Sequence, residues 1–121
     1  MARVVMMYRN PKDTAAFDVH YFETHVPLAK MLPGLRKYEI VQGPGALESP
    51  EFHLMATFHF DDADAAEWAL ASPEGLAAAA DRNLMAPNVN DVMMFLIDSS
   101  EMYGDPSSYA NPEDSPDHLL S

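Results

Sequence analysis

Residues 13–35, DTAAFDVHYFETHVPLAKMLPGL, predict one long helix that ends in a sharp turn. Asp13 or Thr14 can begin the helix, because a short side-chain oxygen at this position accepts a hydrogen bond from a free backbone N–H. Pro33-Gly34 ends the helical pattern just after Leu32. The segments on either side should therefore belong to other elements of the fold.

Four apolar segments outside this helix predict strands. Each is short and bounded by residues that favour turns. The predicted strands are Ala2–Tyr8, Leu35–Gln42, Phe52–Phe60 and Asn88–Ile97. A loop that contains Gly43-Pro44-Gly45 and Ser49-Pro50 separates the second strand from the third.

A second helical region lies between the third and fourth strands. Asp61 or Asp62 can cap its first part, which runs to about Ala71. Ser72-Pro73-Glu74 restarts the helix, because serine suits the cap, proline the first turn and an acid the helix N-terminus. This second part continues to about Leu84. The order βαββαβ predicts an α+β, ferredoxin-like domain, with an antiparallel four-stranded sheet and two helices on one face.

The first and last strands carry apolar residues that point to both faces of the sheet. Side chains alternate along a strand, so Val4 and Met6 should face one side and Val5 and Met7 the other. Residues 93–96, MMFL, repeat this pattern in the last strand. An open apolar face needs a cover, and a second copy of the same sheet is the simplest one. We therefore expect a homodimer that forms a dimeric α/β barrel.

Composition narrows the possible partners. The 121-residue chain has a net charge of −12, which argues against binding nucleic acid or an anionic membrane, since both need clustered Lys and Arg. It has no cysteine, so disulfides and thiolate metal sites are excluded. No apolar run is long enough to cross a membrane, and the N-terminus lacks a signal-peptide pattern. We expect a cytoplasmic protein.

The last part of the chain differs in composition from the rest. Residues 99–121 contain three prolines, several acids and no Lys or Arg, so they cannot form a core of their own. We therefore divide the chain into a domain at residues 1–98 and an acidic, Pro-rich tail at residues 99–121. Deletion after Ser100 should leave folding intact, unless Tyr103, Tyr109 or Leu119 docks on the domain or on a partner subunit.

His25 is the candidate functional residue of the first helix. On a helical wheel it falls within the apolar arc that also holds Phe17, Tyr21, Leu28 and Leu32. A histidine on an apolar face needs a hydrogen-bonding partner. It is therefore either a satisfied core residue or an acid–base group beside a pocket.

The other histidine of this helix, His20, falls outside the apolar arc. His20 and His25 lie about 140° apart on an α-helical wheel, so we do not expect them to clasp one metal ion as an i, i+4 pair would. Pro27 has no N–H and leaves the carbonyl of Glu23 without its helical partner, which raises the polarity near His25. Pro27 should also disturb the helical phase after Val26. No metal site is predicted.

Several short motifs, in order along the chain, resemble those of the EthD family of dimeric α/β-barrel proteins, which is named for a component of an ethyl tert-butyl ether degradation cluster. The most specific are His25-Val26-Pro27-Leu28, within a longer run from His20, and Leu32-Pro33-Gly34-Leu35. The others are Tyr8-Arg9-Asn10-Pro11, Phe17, Phe60-Asp61, Ala71-Ser72-Pro73-Glu74-Gly75 and Ala80-Asp81. The resemblance covers about residues 3–97 and leaves out the acidic tail.

The resemblance implies the ferredoxin-like fold and the dimer, and it says less about chemistry. Members are often described as reductases or as accessory proteins of oxidative degradation. Relatives on the same architecture include aromatic-polyketide cyclases, quinol-forming monooxygenases, lactone isomerases and haem-degrading enzymes. Most keep an apolar cavity between sheet and helices and need no tightly held organic cofactor. Fold similarity alone does not transfer an activity.

Three functions from different classes fit these observations. In the first, an enzyme binds a flat hydrophobic substrate, His25 is the general acid or base, and Tyr38 or Tyr21 hydrogen-bonds an enolate-like oxygen. The expected pocket residues are Phe17, Leu28, Leu32 and Phe58. Cyclisation, dehydration, isomerisation, or oxygenation of a substrate that itself reacts with oxygen needs only this equipment. No residue indicates NAD or flavin binding.

The other two functions do not use His25 as an acid or base. A binding module would hold an apolar metabolite and pass it to an oxygenase, with His25 as a structural hydrogen-bonding residue. A haem-handling protein would need an axial histidine, and the five histidines of the chain form no haem motif.

Overall fold

The computed structural model describes residues 1–42 and 51–99, and it confirms the ferredoxin-like α+β fold. The predicted loop at residues 43–50 and the tail from residue 100 onward lie outside the described residues. The four strands are β1 (Ala2–Arg9), β2 (Lys37–Gln42), β3 (Phe52–Phe60) and β4 (Val92–Asp98). The helices are α1 (Thr14–His20), a π-helical segment (Tyr21–His25), α2 (Val26–Ala29), α3 (Ala63–Ala71) and α4 (Pro73–Met85).

The strands form one antiparallel sheet in the order β2-β3-β1-β4. The register places Val4 between Phe58 on one side and Leu96 on the other. Alternate residues of β1 are buried against the helices. The core is built from this buried row, the matching row of β3 and the inner faces of the helices.

Helix caps begin three of the helical elements where short polar side chains predict them. Asp13 accepts a hydrogen bond from the N–H of Ala16, Asp62 from that of Ala65, and Ser72 from that of Gly75. β3 has the predicted bounds. β2 and β4 begin later than predicted, at Lys37 and Val92, because turns occupy the residues before them.

The long first helix departs from the expected continuous form. It ends at Ala29 rather than near Leu32, and its middle turn is π-helical, with the N–H of Val26 donating to the carbonyl of Tyr21. The ring of Pro27 would crowd the carbonyl of Glu23 in an α-helix, and a wider turn relieves this contact. The disturbance therefore lies before Pro27, and the expectation that it would follow Val26 was wrong.

The sheet has one covered and one open face. On the open face, Val5 pairs with Phe95 and Met7 with Met93. Phe95 is 42% exposed and Ile97 is 39% exposed. None of the helices in the two described ranges is long and apolar enough to cross a membrane.

Candidate functional site

A buried histidine–carboxylate pair lies between the π-helical segment and α4. His25 is only 3% exposed, and its Nδ1 atom lies 2.9 Å from Oδ2 of Asp81. Asp81 is itself 7% exposed. A buried carboxylate needs hydrogen-bond donors to offset the loss of water, and His25 supplies one of them.

His20 supplies the second donor to the same carboxylate. Its Nε2 atom lies 2.8 Å from Oδ1 of Asp81, so Asp81 bridges the two histidines. The helical wheel, which placed them on different sides, was wrong about their relative direction. In a π-helical turn the hydrogen bond spans five residues, so side chains five apart lie nearly above one another. This wider turn lets both imidazoles reach one carboxylate.

The protonation of His25 follows from its surroundings. Burial lowers the pKa of His25 below its ordinary value, although the hydrogen bond and charge of Asp81 oppose this shift. The ring is therefore neutral at pH 7. Because a carboxylate only accepts hydrogen bonds, Nδ1 carries the proton and donates to Asp81, which leaves a lone pair on Nε2.

The Nε2 atom of His25 is not fully enclosed. No residue in the described ranges hydrogen-bonds it, and every fully enclosed side-chain nitrogen or oxygen in those ranges has a partner. Nε2 is therefore accessible, and the space beside it is a cavity that His25 lines. A neutral imidazole with a free Nε2 lone pair is the form that accepts a proton as a general base.

This cavity lies between the sheet and the helices and has a volume of about 160 Å³. An engineered apolar cavity of about 150 Å³ holds one benzene molecule, so the space suits a compound of one ring. Apart from His25 and Arg82, its walls are apolar or small. They are formed by Met6, Ala29, Leu32, Phe58, Leu70, Gly75, Ala78, Ala79 and Met94.

The structure brings some of the predicted pocket residues together and separates others. Leu32 and Phe58 line the cavity with His25. Phe17 instead lines a neighbouring cleft, and Leu28 lines neither space. The π-helical turn shifts the residues around it relative to a regular wheel, which accounts for part of this separation.

Tyr21 and Tyr38 form a pair of their own. Their hydroxyl oxygens lie 2.6 Å apart, and neither residue lines the cavity. Burial raises the pKa of Tyr38 to about 12 and raises the pKa of Tyr21 further, so both are neutral at physiological pH. The Tyr21 ring lies 5.2 Å from the His25 ring, centroid to centroid, and therefore helps to fix the position of the imidazole.

The neighbouring cleft is larger and more polar. It has a volume of about 580 Å³ at the end of β1 and the start of α1. Its walls include His20, Phe17, Tyr8, Arg9, Lys12 and Asp91. Asp81 thus joins two histidines that line different spaces.

Sequence reasoning did not assign a role to Asp81 or Arg82. A signal for Arg82 is present in α4, where Gly75, Ala78, Ala79 and Arg82 recur at i, i+3, i+4 and i+7. Residues with this spacing share one helix face, and the small ones leave room for a cavity. For Asp81 the signal is weaker, because an acid after an alanine run is more often exposed than buried.

The fold and the site define a ferredoxin-like α+β protein with a neutral, carboxylate-held histidine in a ring-sized apolar cavity. The EthD domain model matches residues 9–86, which is more than half of the chain. The chain therefore belongs to the EthD family, as its motifs predicted.

Two relatives agree with this assignment, and a third protein shares the fold. An uncharacterized 11.0 kDa protein from the thcB-thcC intergenic region of Rhodococcus erythropolis is 38% identical over 86 residues, which cover 67% of this chain and 80% of that protein. The crystal structure of an EthD family protein from Bacillus halodurans is 31% identical, with a TM-score of 0.73, over 84% of this chain and 99% of that one. A dimeric ferredoxin-like protein of unknown function from Thermobifida fusca is 18% identical, with a TM-score of 0.62, over 81% of this chain and 90% of that one.

Proposed function

We propose that this protein is an acid–base enzyme that moves a proton on a small hydrophobic compound, with His25 as the general base. One observation carries the proposal. His25 is buried and neutral, held by Asp81 at Nδ1, and its free Nε2 atom lies beside an apolar cavity. A positioned base of this kind accelerates proton transfer by about 10²–10⁴-fold.

In this proposal Asp81 positions the base. It accepts the Nδ1–H bond, fixes the tautomer and stabilises the imidazolium that forms when Nε2 takes a proton. Isomerisation, cyclisation, dehydration and oxygenation of an O₂-reactive substrate all begin with such a transfer. The hydroxyl role expected of Tyr21 and Tyr38 stays a prediction, since each hydroxyl already bonds the other.

A binding module for an apolar metabolite is the second candidate. The cavity walls are mostly apolar, so a small hydrocarbon-like compound gains stability from burial there without any chemistry. His25 would then have only a structural role, as a hydrogen-bonding partner of Asp81. Haem binding at His25 is the weakest of the three functions, because a ring-sized cavity does not hold a porphyrin.

The homodimer belongs to the same proposal. The open sheet face carries Val5, Met7 and Phe95, and a partner sheet is the cover that removes such a patch from water. The dimeric Thermobifida fusca protein, which shares the fold, supports this arrangement. A cytoplasmic location stays a prediction.

The test measures proton abstraction without knowledge of the natural substrate. Acetophenone and cyclohexanone in D₂O exchange the hydrogens beside their carbonyl groups, and NMR follows the rate. We expect the protein to accelerate exchange for at least one of the two, and His25→Gln to abolish the acceleration.

His53→Gln is the matched control. His53 also bonds a carboxylate, with Nε2 2.7 Å from Oδ1 of Asp18, but it lines neither cavity. It should therefore leave the rate unchanged. Saturable binding of either ketone without any exchange would support the binding module instead of the enzyme.

A further inference from the structure

Helix α4 forms one wall of the cavity, and the positively charged Arg82 lies at the end of this wall. Gly75, Ala78, Ala79 and Arg82 form one stripe along this helix, and all four line the cavity. Arg82 is the only formally charged side chain among the described residues that line it. An arginine at the end of a stripe of small residues lies where a ligand in the cavity would meet it.

Arg82 has no carboxylate partner within the described ranges, although the chain holds 19 acids against 7 bases. By contrast, Arg36 makes a bidentate ion pair with Asp61, with Nε 3.0 Å from Oδ1 and Nη2 2.8 Å from Oδ2. The nearest acid in sequence, Asp81, already accepts a histidine at each of its oxygens. The guanidinium of Arg82 is therefore available to pair with a group from outside the chain.

Arg82 and His25 line the same cavity, and the positive charge of Arg82 is one of the causes that lower the pKa of His25. A ligand in the cavity would thus have a base at one point of its surface and a cation at another. This pair of groups suits a compound whose oxygen carries or develops negative charge.

We propose that the site accepts compounds of one ring's size that bear an anionic or enolisable oxygen, and that Arg82 binds this oxygen. The inference rests on the proposed function of His25 and adds the class of its substrate. In the reaction, a C–H bond beside a carbonyl breaks, its proton moves to Nε2 of His25, and its electron pair forms the enolate. The negative charge then lies on the oxygen that Arg82 binds, and the proton returns to the ligand, so the protein ends unchanged.

Benzoate and benzamide are the probes, because they share a ring and a shape but differ in charge. NMR of the His25 ring proton locates binding at this cavity, and titration gives the dissociation constants. We expect benzoate to bind at least tenfold more tightly than benzamide, which is about 1.4 kcal/mol. A protein of net charge −12 repels anions in general, so such a preference must come from a local cation.

Arg82→Gln should remove the preference for benzoate and leave benzamide binding unchanged. Arg36→Gln is the matched control, because Arg36 is exposed, pairs with Asp61 and lines neither cavity. The Arg36→Gln substitution should leave the dissociation constants of both probes unchanged.

Two failures are distinguishable. In the first, benzamide perturbs His25 but benzoate binds no more tightly, or Arg82→Gln leaves benzoate binding intact. Arg82 then does not bind the ligand and has only a structural role in the last turn of α4. The inference is then overturned while the proposed function stands. If neither probe perturbs His25, the cavity does not bind ring compounds, and both proposals fail.

Discussion

The imidazole of His25 and the carboxylate of Asp81 lie 56 residues apart in the chain and 2.9 Å apart in the fold, Nδ1 to Oδ2. Both are buried, and the contact links the π-helical segment to α4. The remaining carboxylate oxygen of Asp81 binds His20, so both oxygens of Asp81 are hydrogen-bonded within the chain. The arrangement makes Asp81 a positioning residue for the base.

Asp81→Asn should lower the pKa of His25 further, because the carboxylate raises that pKa by its hydrogen bond and its charge. An NMR titration of the His25 ring proton measures this shift. We also expect the exchange rate with the ketone probes to fall at least about tenfold, since the amide no longer fixes the tautomer. Asp18→Asn removes the carboxylate beside His53 and should affect neither measurement. An unchanged His25 pKa in Asp81→Asn would show that the carboxylate does not control the base.

The stability of the fold should decrease as the pH falls below about 6.5. Burial lowers the pKa of His25 in the folded state, so the unfolded chain takes up a proton at a pH where the folded chain does not. The stabilisation is complete above the unfolded pKa and is lost as the pH falls through the folded one. Urea denaturation between about pH 5 and 8 measures the effect. His25→Gln should flatten this dependence, and equal slopes in both proteins would contradict it.

Tyr38→Phe separates a structural from a catalytic role of the tyrosine pair. The change removes the hydrogen-bond partner of the buried Tyr21 hydroxyl, so it should cost about 1–3 kcal/mol in the free energy of unfolding. Because Tyr38 does not line the cavity, we expect ketone exchange to change less than about threefold, which is below 1 kcal/mol. A tenfold loss of exchange in a fully stable variant would instead support the hydroxyl role that the sequence suggested.

Sedimentation tests whether a second copy of the protein covers the open face of the sheet. The intact protein should sediment as a dimer at micromolar concentration, with a total buried area above about 1,200 Å². Phe95→Glu places a charge on the open sheet face beside Val5 and should give a monomer of 13.4 kDa. Trp68→Glu is the control, because Trp68 is 67% exposed on α3, away from that face. A wild-type monomer would refute the dimer.

Gly75→Ala should damage both the fold and the cavity. A Cβ atom at this position would lie 2.6 Å from the carbonyl carbon of Leu70, and it would also meet the backbone oxygens of Ala69 and Leu70. Since backbone atoms cannot move aside cheaply, α4 must shift away from α3, at a cost of about 1–3 kcal/mol. Thermal unfolding measures the loss. Ala80→Gly, on the exposed side of the same helix, controls for ordinary helix propensity and should cost about 1 kcal/mol or less.

The sequence predicted the fold well because its signals are local. Caps at Asp13 and Ser72 and the strand Phe52–Phe60 depend on neighbours within a few residues, and the structure has them where expected. The site was harder, because it joins residues that are far apart. His25 could be singled out on its own helix, but its partner Asp81 is fixed only by how α4 packs on that helix. The wheel failed at His20 because it assumed a regular helix, and a single proline made the turn wider.

The π-helical segment carries an extra residue before Pro27, and this residue allows the helix to accommodate the proline. The bonded backbone groups of Tyr21 and Val26 enclose one residue more than an α-helical turn requires. Thr24 is exposed and lines neither cavity, so its substitution should be silent. Its deletion would restore the regular repeat and leave His20 and His25 four positions apart, on one face of an α-helix and still within reach of their shared carboxylate. The ring of Pro27 would then again crowd the carbonyl four residues before it, so the extra residue relieves this contact and does not set the spacing of the two imidazoles.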